Sequence, residues 1–236
     1  MRRSSLLPSR TPSKVASLAL FAGLAVAFAS ATACTMDPVG AAQEEGFAQT
    51  PDEGFQPNSE FHRPGQDCMA CHGPRGTASP KFVVAGTVFW GRCLDPAGGP
   101  DKCARQTADR AEVRIVDRDG IQRCIRTNCA GNFFIEEGKW SRDSPQKRPA
   151  FPLLSSVRKV TQEGAAIEQI MAGHISRAGS CNDCHRQAPY WNSAGQVYLV
   201  RPLDQLPPSA TTEYEACRAN PPASVPEEDC EQAPPR

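Results

Sequence analysis

Histidine is scarce in this chain, with four among 236 residues, and aromatics make up only 7%. Neither sign of charge is in excess, since 26 Lys and Arg face 26 Asp and Glu, so the basic surplus of a nucleic-acid binder is missing. The apolar run from Val15 to Ala29 spans 15 residues, short of the ~20 that a membrane helix needs. There is no alternation of strands and helices of the kind that carries a thioredoxin-like redox pair. No Ser–His–Asp set, phosphate loop or paired-carboxylate motif is readable. What is present is 39% hydrophobic and 22% charged residues with 22 prolines and 18 glycines, the composition of a soluble globular protein with long loops and a disordered fraction.

The chain opens with Arg2, Arg3, Arg10 and Lys14, then the uncharged run, then "SATA" and Cys34. This is the pattern of a secretory signal peptide over 1–33. "ATAC" resembles a bacterial lipobox, with Ala31 where leucine is usual, so Cys34 is the expected lipidation site. Ordinary cleavage after "ATA" is the alternative. Thr35, in place of an aspartate retention signal, favours the outer membrane. Export in either form places the mature protein facing the periplasm. Removing the four basic residues of the leader leaves 22 basic against 26 acidic residues, a net charge of −4.

Eleven cysteines sort into groups. Besides Cys34, two copies of one pattern stand out: "CMACH" at 68–72 and "CNDCH" at 181–185. C-x-x-C-H is the attachment signature of c-type haem. The spacer sets two thiols at the separation of the porphyrin vinyl groups, and the adjoining histidine falls beneath the iron. One chance occurrence is expected at roughly 0.01 per chain, so two copies point to two covalent haems, bound through Cys68, Cys71, Cys181 and Cys184 with His72 and His185 as proximal ligands. A zinc site of four thiolates is the rival, but it leaves the two following histidines without a purpose. The remaining Cys93, Cys103, Cys124, Cys129, Cys217 and Cys230 read as three disulfides in an exported protein. Closeness in sequence favours Cys93–Cys103, Cys124–Cys129 and Cys217–Cys230 among fifteen pairings.

Six segments follow from composition and periodicity. After the signal peptide comes a disordered tether (34–60), then the first haem segment (61–80). Over 81–164, "FVVAGTVFW", "AEVRIVD", "IQRCIRT", "GNFFIEEG" and "FPLLSSVRKV" read as short strands, with Asp119-Gly120 as a type I′ hairpin turn. The expected fold is therefore mainly β, a small antiparallel β-sandwich flanked by short helical or loop segments that bind haem. "AAIEQIMAGHISR" (165–177) reads as a helix from Ile167, Met171 and Ile175 at four-residue spacing, and it leads into the second haem segment, with "GQVYLVRP" as a last strand. Eight prolines from residue 202 onward predict an extended tail (202–236).

"AGTVF", "AEVRIVDRDG" and "TNCAGNFF" resemble the carboxypeptidase regulatory-like, transthyretin-like β-sandwich domains. With "HRPGQDCMACH" and "GSCNDCH" on either side, the chain is similar to bacterial periplasmic cytochrome-c-like lipoproteins that carry such a sandwich between two haem sites. The likeness covers most of 62–190, and the Cys93–Cys103 insertion and the proline-rich tail depart from it. It implies a structural or adaptor sandwich; no zinc-peptidase motif is present.

The expected function is one-electron transfer between periplasmic redox partner proteins by a membrane-tethered dihaem cytochrome, more a carrier than an enzyme. The alternatives are a dihaem enzyme such as a peroxidase, or a haem-based sensor or adaptor of a respiratory complex. Carriers fill both axial positions, and the histidine count bears on this. His62 lies six residues before Cys68 and His174 seven before Cys181, so each is a candidate sixth ligand, with Met171 as the alternative for one iron. The span of 108 residues between His72 and Cys181 holds the sandwich, whose ends can bring the two sites together.

Overall fold

The run "FVVAGTVFW" has no polar alternation, the mark of a strand covered on both faces. In the computed structural model, which describes residues 59–91, 106–140, 148–185, 194–200 and 206–221, it forms β1 (Phe82–Gly91), buried at every position but the last. The expected signal segment, Cys34 and most of the tether, together with Cys93, Cys103 and Cys230, lie outside the described residues.

The architecture is mainly β, as expected. After α1 (Cys68–His72) and β1 come β2 (Glu112–Val116), β3 (Gln122–Arg126), β4 (Asn132–Glu136), β5 (Leu154–Val160) and β6 (Ala166–Ile170). The order ends with α2 (Cys181–Cys184), β7 (Val197–Val200) and α3 (Pro208–Ala219). One sheet has the order β4-β1-β7 and the other β3-β2-β5-β6. All pairs are antiparallel except β1 with β7, which is parallel. Alternation in β2 puts Val113 and Ile115 inside, where they join Val84, Val88 and Trp90 of β1, Phe133 and Ile135 of β4, and Val157 of β5 in one core.

Four expectations are corrected. The "DRDG" hairpin forms, but only Gly120 has positive φ (+82°), whereas a type I′ turn needs two such residues. Asp117 closes the turn instead, its carboxylate accepting from the amides of Asp119 and Ile121.

The second correction concerns 165–177, which is not a helix. Residues 166–170 form edge strand β6 on β5, with Ile167 against the core and Ile170 exposed. A stretch this short is marginal as an isolated helix, while β5 offers a row of open backbone groups. Gln169 then donates to the carbonyl of Leu199 at 2.9 Å, linking β6 to β7.

Third, the tail is helical over α3. Pro208 stands at its first turn, where its missing N–H costs nothing, and Ser209 donates through its amide and hydroxyl to Glu163. The buried Lys159, 5.2 Å above the Trp90 ring, pairs with Glu213 of α3 at 3.0 Å. Last, Cys129 bonds to Cys217 across 88 residues, which excludes both Cys124–Cys129 and Cys217–Cys230. Cys124 is disulfide-bonded as well.

Candidate functional site

Both C-x-x-C-H motifs fold as single helical turns, and both pack against β1. Asp67 caps α1 by accepting from the amide of Met69 at 3.0 Å. Segment 179–180 runs beside β1, where the Ala85 amide donates to the carbonyl of Gly179 at 2.9 Å. The approach is close enough to need glycine on both sides. A Cβ on Gly179 would lie 2.0 Å from the carbonyl oxygen of Val83, and one on Gly86 would lie 2.7 Å from Cβ of Cys181.

The two motif histidines are held in the same way. His72 donates Nδ1–H to the carbonyl of Pro80 at 2.7 Å, and His185 donates Nδ1–H to the carbonyl of Gly195 at 2.8 Å. A carbonyl can only accept, so in the neutral form of each ring the proton sits on Nδ1 and the lone pair on Nε2. This is the tautomer and the outer support that a metal-ligating histidine uses. Burial, together with the nearby His62 and Lys81, holds His72 below its ordinary pKa, against a smaller opposing effect of the Pro80 bond, so the neutral ligating form prevails at neutral pH. Phe82 stacks on His72 at 4.4 Å, and Phe134 stacks on Phe82 at 4.6 Å.

Each sequence-expected candidate falls beside its own motif. His62 lies in a cavity of about 270 Å³ with Cys68, Cys71 and His72. Its Nδ1 also donates to a carbonyl, that of Ser59, so Nδ1 carries the proton in its neutral form. The His62 and His72 ring centroids are 5.9 Å apart. Two imidazoles sharing one metal need about 6 Å, given roughly 2 Å from each nitrogen to the metal. His174 and Met171 line a second cavity of about 700 Å³ with Cys181, Cys184 and His185. His174 is exposed and Met171 half-buried.

None of the four motif cysteines is joined in a disulfide. Burial pushes Cys68 up to about 12, with Asp67 and the neighbouring Cys181 adding to the effect. Burial, then Cys184, pushes Cys181 to about 12 as well. The four sulfurs do not converge on one point. Among the described residues, the cluster with metal-ligand spacing is Asp109, Cys129 and Cys217, and its sulfurs are already joined as a disulfide. A four-thiolate zinc site therefore finds no geometry.

Sequence reasoning missed the polar network that unites the two motifs. Asn182, the second residue of "CNDCH", is 1% exposed. It donates Nδ2–H to the Gln66 carbonyl at 2.7 Å and to Thr87 Oγ1 at 3.1 Å, and its Oδ1 accepts from the Thr87 amide at 3.2 Å. Thr87 Oγ1 also accepts from the Gly65 amide and donates to Asn132 Oδ1 at 2.9 Å. Asn132 in turn donates to the carbonyls of Glu60 and His62. Phe61, beside His62, packs on Cys129 and Ala130 at the Cys129–Cys217 bridge. The segment carrying His62 is thus held from both sides. Thr87 and Asn132 lie within strands expected from the sequence, "FVVAGTVFW" and "GNFFIEEG", but nothing in the local sequence marks them or Asn182 as partners.

No helix among the described residues is long and apolar enough to cross a membrane. Set beside known proteins, the chain is matched by no family model, no curated protein and no solved structure.

Proposed function

We propose that this chain is a dihaem c-type cytochrome, tethered to the membrane through Cys34, that passes single electrons between periplasmic partner proteins. One observation carries the reading: each motif histidine has Nδ1–H engaged by a backbone carbonyl, and each shares a cavity with its own cysteine pair and one of the two remaining histidines. A histidine kept only for packing does not require this arrangement twice.

In this role Cys68 with Cys71, and Cys181 with Cys184, form the thioethers. His72 and His185 ligate through Nε2, with His62 and His174 as the sixth ligands and Met171 as the rival at the second iron. Phe82 and Phe134 form an aromatic stack against His72 at the first site. Haem c supplies reversible one-electron exchange at iron. The sandwich acts as a rigid frame, in keeping with its likeness to carboxypeptidase regulatory-like domains.

Protein produced with a c-haem maturation system is expected to show two haems per chain by pyridine haemochrome and two haem additions in its intact mass. Fewer than two overturns the reading. Wild-type protein is expected in the membrane fraction and Cys34→Ala in the soluble fraction, because acyl chains contribute about 0.8 kcal/mol per buried methylene. A wholly soluble wild type counts against the tether. A dihaem enzyme is the second reading, and the breadth of the second cavity with its exposed His174 favours it.

A further inference from the structure

We propose that the two motifs hold their haems as one coupled pair, with electrons exchanged across the seam between Cys68 and Cys181. This inference rests on the dihaem reading above.

The seam is built from both motifs. Ser180, directly before Cys181, donates its hydroxyl to the carboxylate of Asp67, directly before Cys68. Asn182, directly after Cys181, donates to the carbonyl of Gln66 at 2.7 Å. Segments 66–68 and 180–182 are therefore interlocked, although more than 100 residues separate them in sequence. Phe133 lines both cavities and forms a shared apolar wall. The missing side chain at Gly86 lets Cys181 settle against β1 beside it.

Thioethers at Cys68 and Cys181 would tether both haems to the residues of this seam. Buried surroundings screen charge weakly, so the one-unit change on reducing one iron is felt at the other. Exchange within the pair balances by itself: one iron passes from ferrous to ferric as the other passes from ferric to ferrous, with no bond broken and no proton required. Motifs placed on opposite ends of the sandwich would have bound two haems without this coupling. The hydrogen bonds across the seam hold them together.

The test uses full-length holoprotein whose haem content has been measured, titrated stepwise with dithionite and followed by absorbance and EPR. In the half-reduced wild type, the EPR signal of the iron still oxidised is expected to differ from its signal in the fully oxidised protein. In Cys68→Ala/Cys71→Ala and in Cys181→Ala/Cys184→Ala, the remaining haem is expected to shift its electron affinity at least about tenfold from wild type, or 59 mV for one electron. If neither double variant folds, the half-reduced wild-type spectrum still decides. Two haems that titrate independently, with wild-type spectra equal to the sum of separate centres, overturn the coupled pair and leave the dihaem reading intact. Fewer than two haems overturns that reading instead.

Discussion

Replacing Asn182 with alanine is expected to lower the melting temperature by about 6–12 °C, from a loss of about 3 kcal/mol. The side chain makes three hydrogen bonds, to Gln66, to Thr87 Oγ1 and from the Thr87 amide, and it is 1% exposed. Alanine leaves the Thr87 N–H buried without its partner, at a cost of about 1–3 kcal/mol, and opens a small void beside it. The loss reaches both motifs, because Thr87 passes the network on through Asn132 to the backbone of His62. Met69 holds the equivalent place in the first motif but is only half-buried, so Met69→Ala is expected to cost less. Thermal unfolding of the two variants side by side checks this. A melting temperature for Asn182→Ala within 2 °C of wild type would show that the network contributes nothing to stability.

On the proposed dihaem reading, removing a sixth ligand is expected to convert one iron of the two from low spin to high spin. His62 shares its cavity with Cys68, Cys71 and His72, and His174 shares the other with Cys181, Cys184 and His185. His62→Ala should therefore alter the haem that survives in the Cys181→Ala/Cys184→Ala protein, and His174→Ala should leave that haem unchanged. EPR and absorption spectra of the oxidised variants read this directly. The 5.9 Å between the His62 and His72 rings makes the first site the firmer case. At the second, Met171 lines the same cavity. A low-spin spectrum that survives His174→Ala and is lost in Met171→Ala would assign methionine there, with a higher potential than imidazole gives. High-spin iron in the wild type would bring the enzyme reading forward.

Much of this was legible from local sequence, for a definite reason. The C-x-x-C-H spacing fits one helical turn, and α1 and α2 each form such a turn. Strands β1 and β2 carry their burial in their own periodicity, continuous in one and alternating in the other. Segment 165–177 was ambiguous, because Ile167, Ile170, Met171 and Ile175 satisfy a helical spacing, whereas the observed strand half-buries Ile167 and Gln169 in alternation with exposed neighbours. The exposed edge of β5 settled it, and that edge exists only in the folded sheet.

Other features depended on where distant segments meet. Cys129 and Cys217 are 88 residues apart, and their bond follows from α3 docking beside the segment that carries Phe61. Proximity in sequence measures the ease of loop closure in the unfolded chain, not the distances the packed sandwich imposes. The same holds for the site. The identities of the cysteines and histidines, and their grouping into two motifs, were determined by the sequence alone. The tertiary structure decided that the motifs lie side by side on β1, that Asn182 and Ser180 bond to the turn before Cys68, and that His62 stands over His72 while His174 lines the other cavity. Spacing along a helical turn is a local constraint. Pairing across more than 100 residues is set by which surfaces the strands bury together.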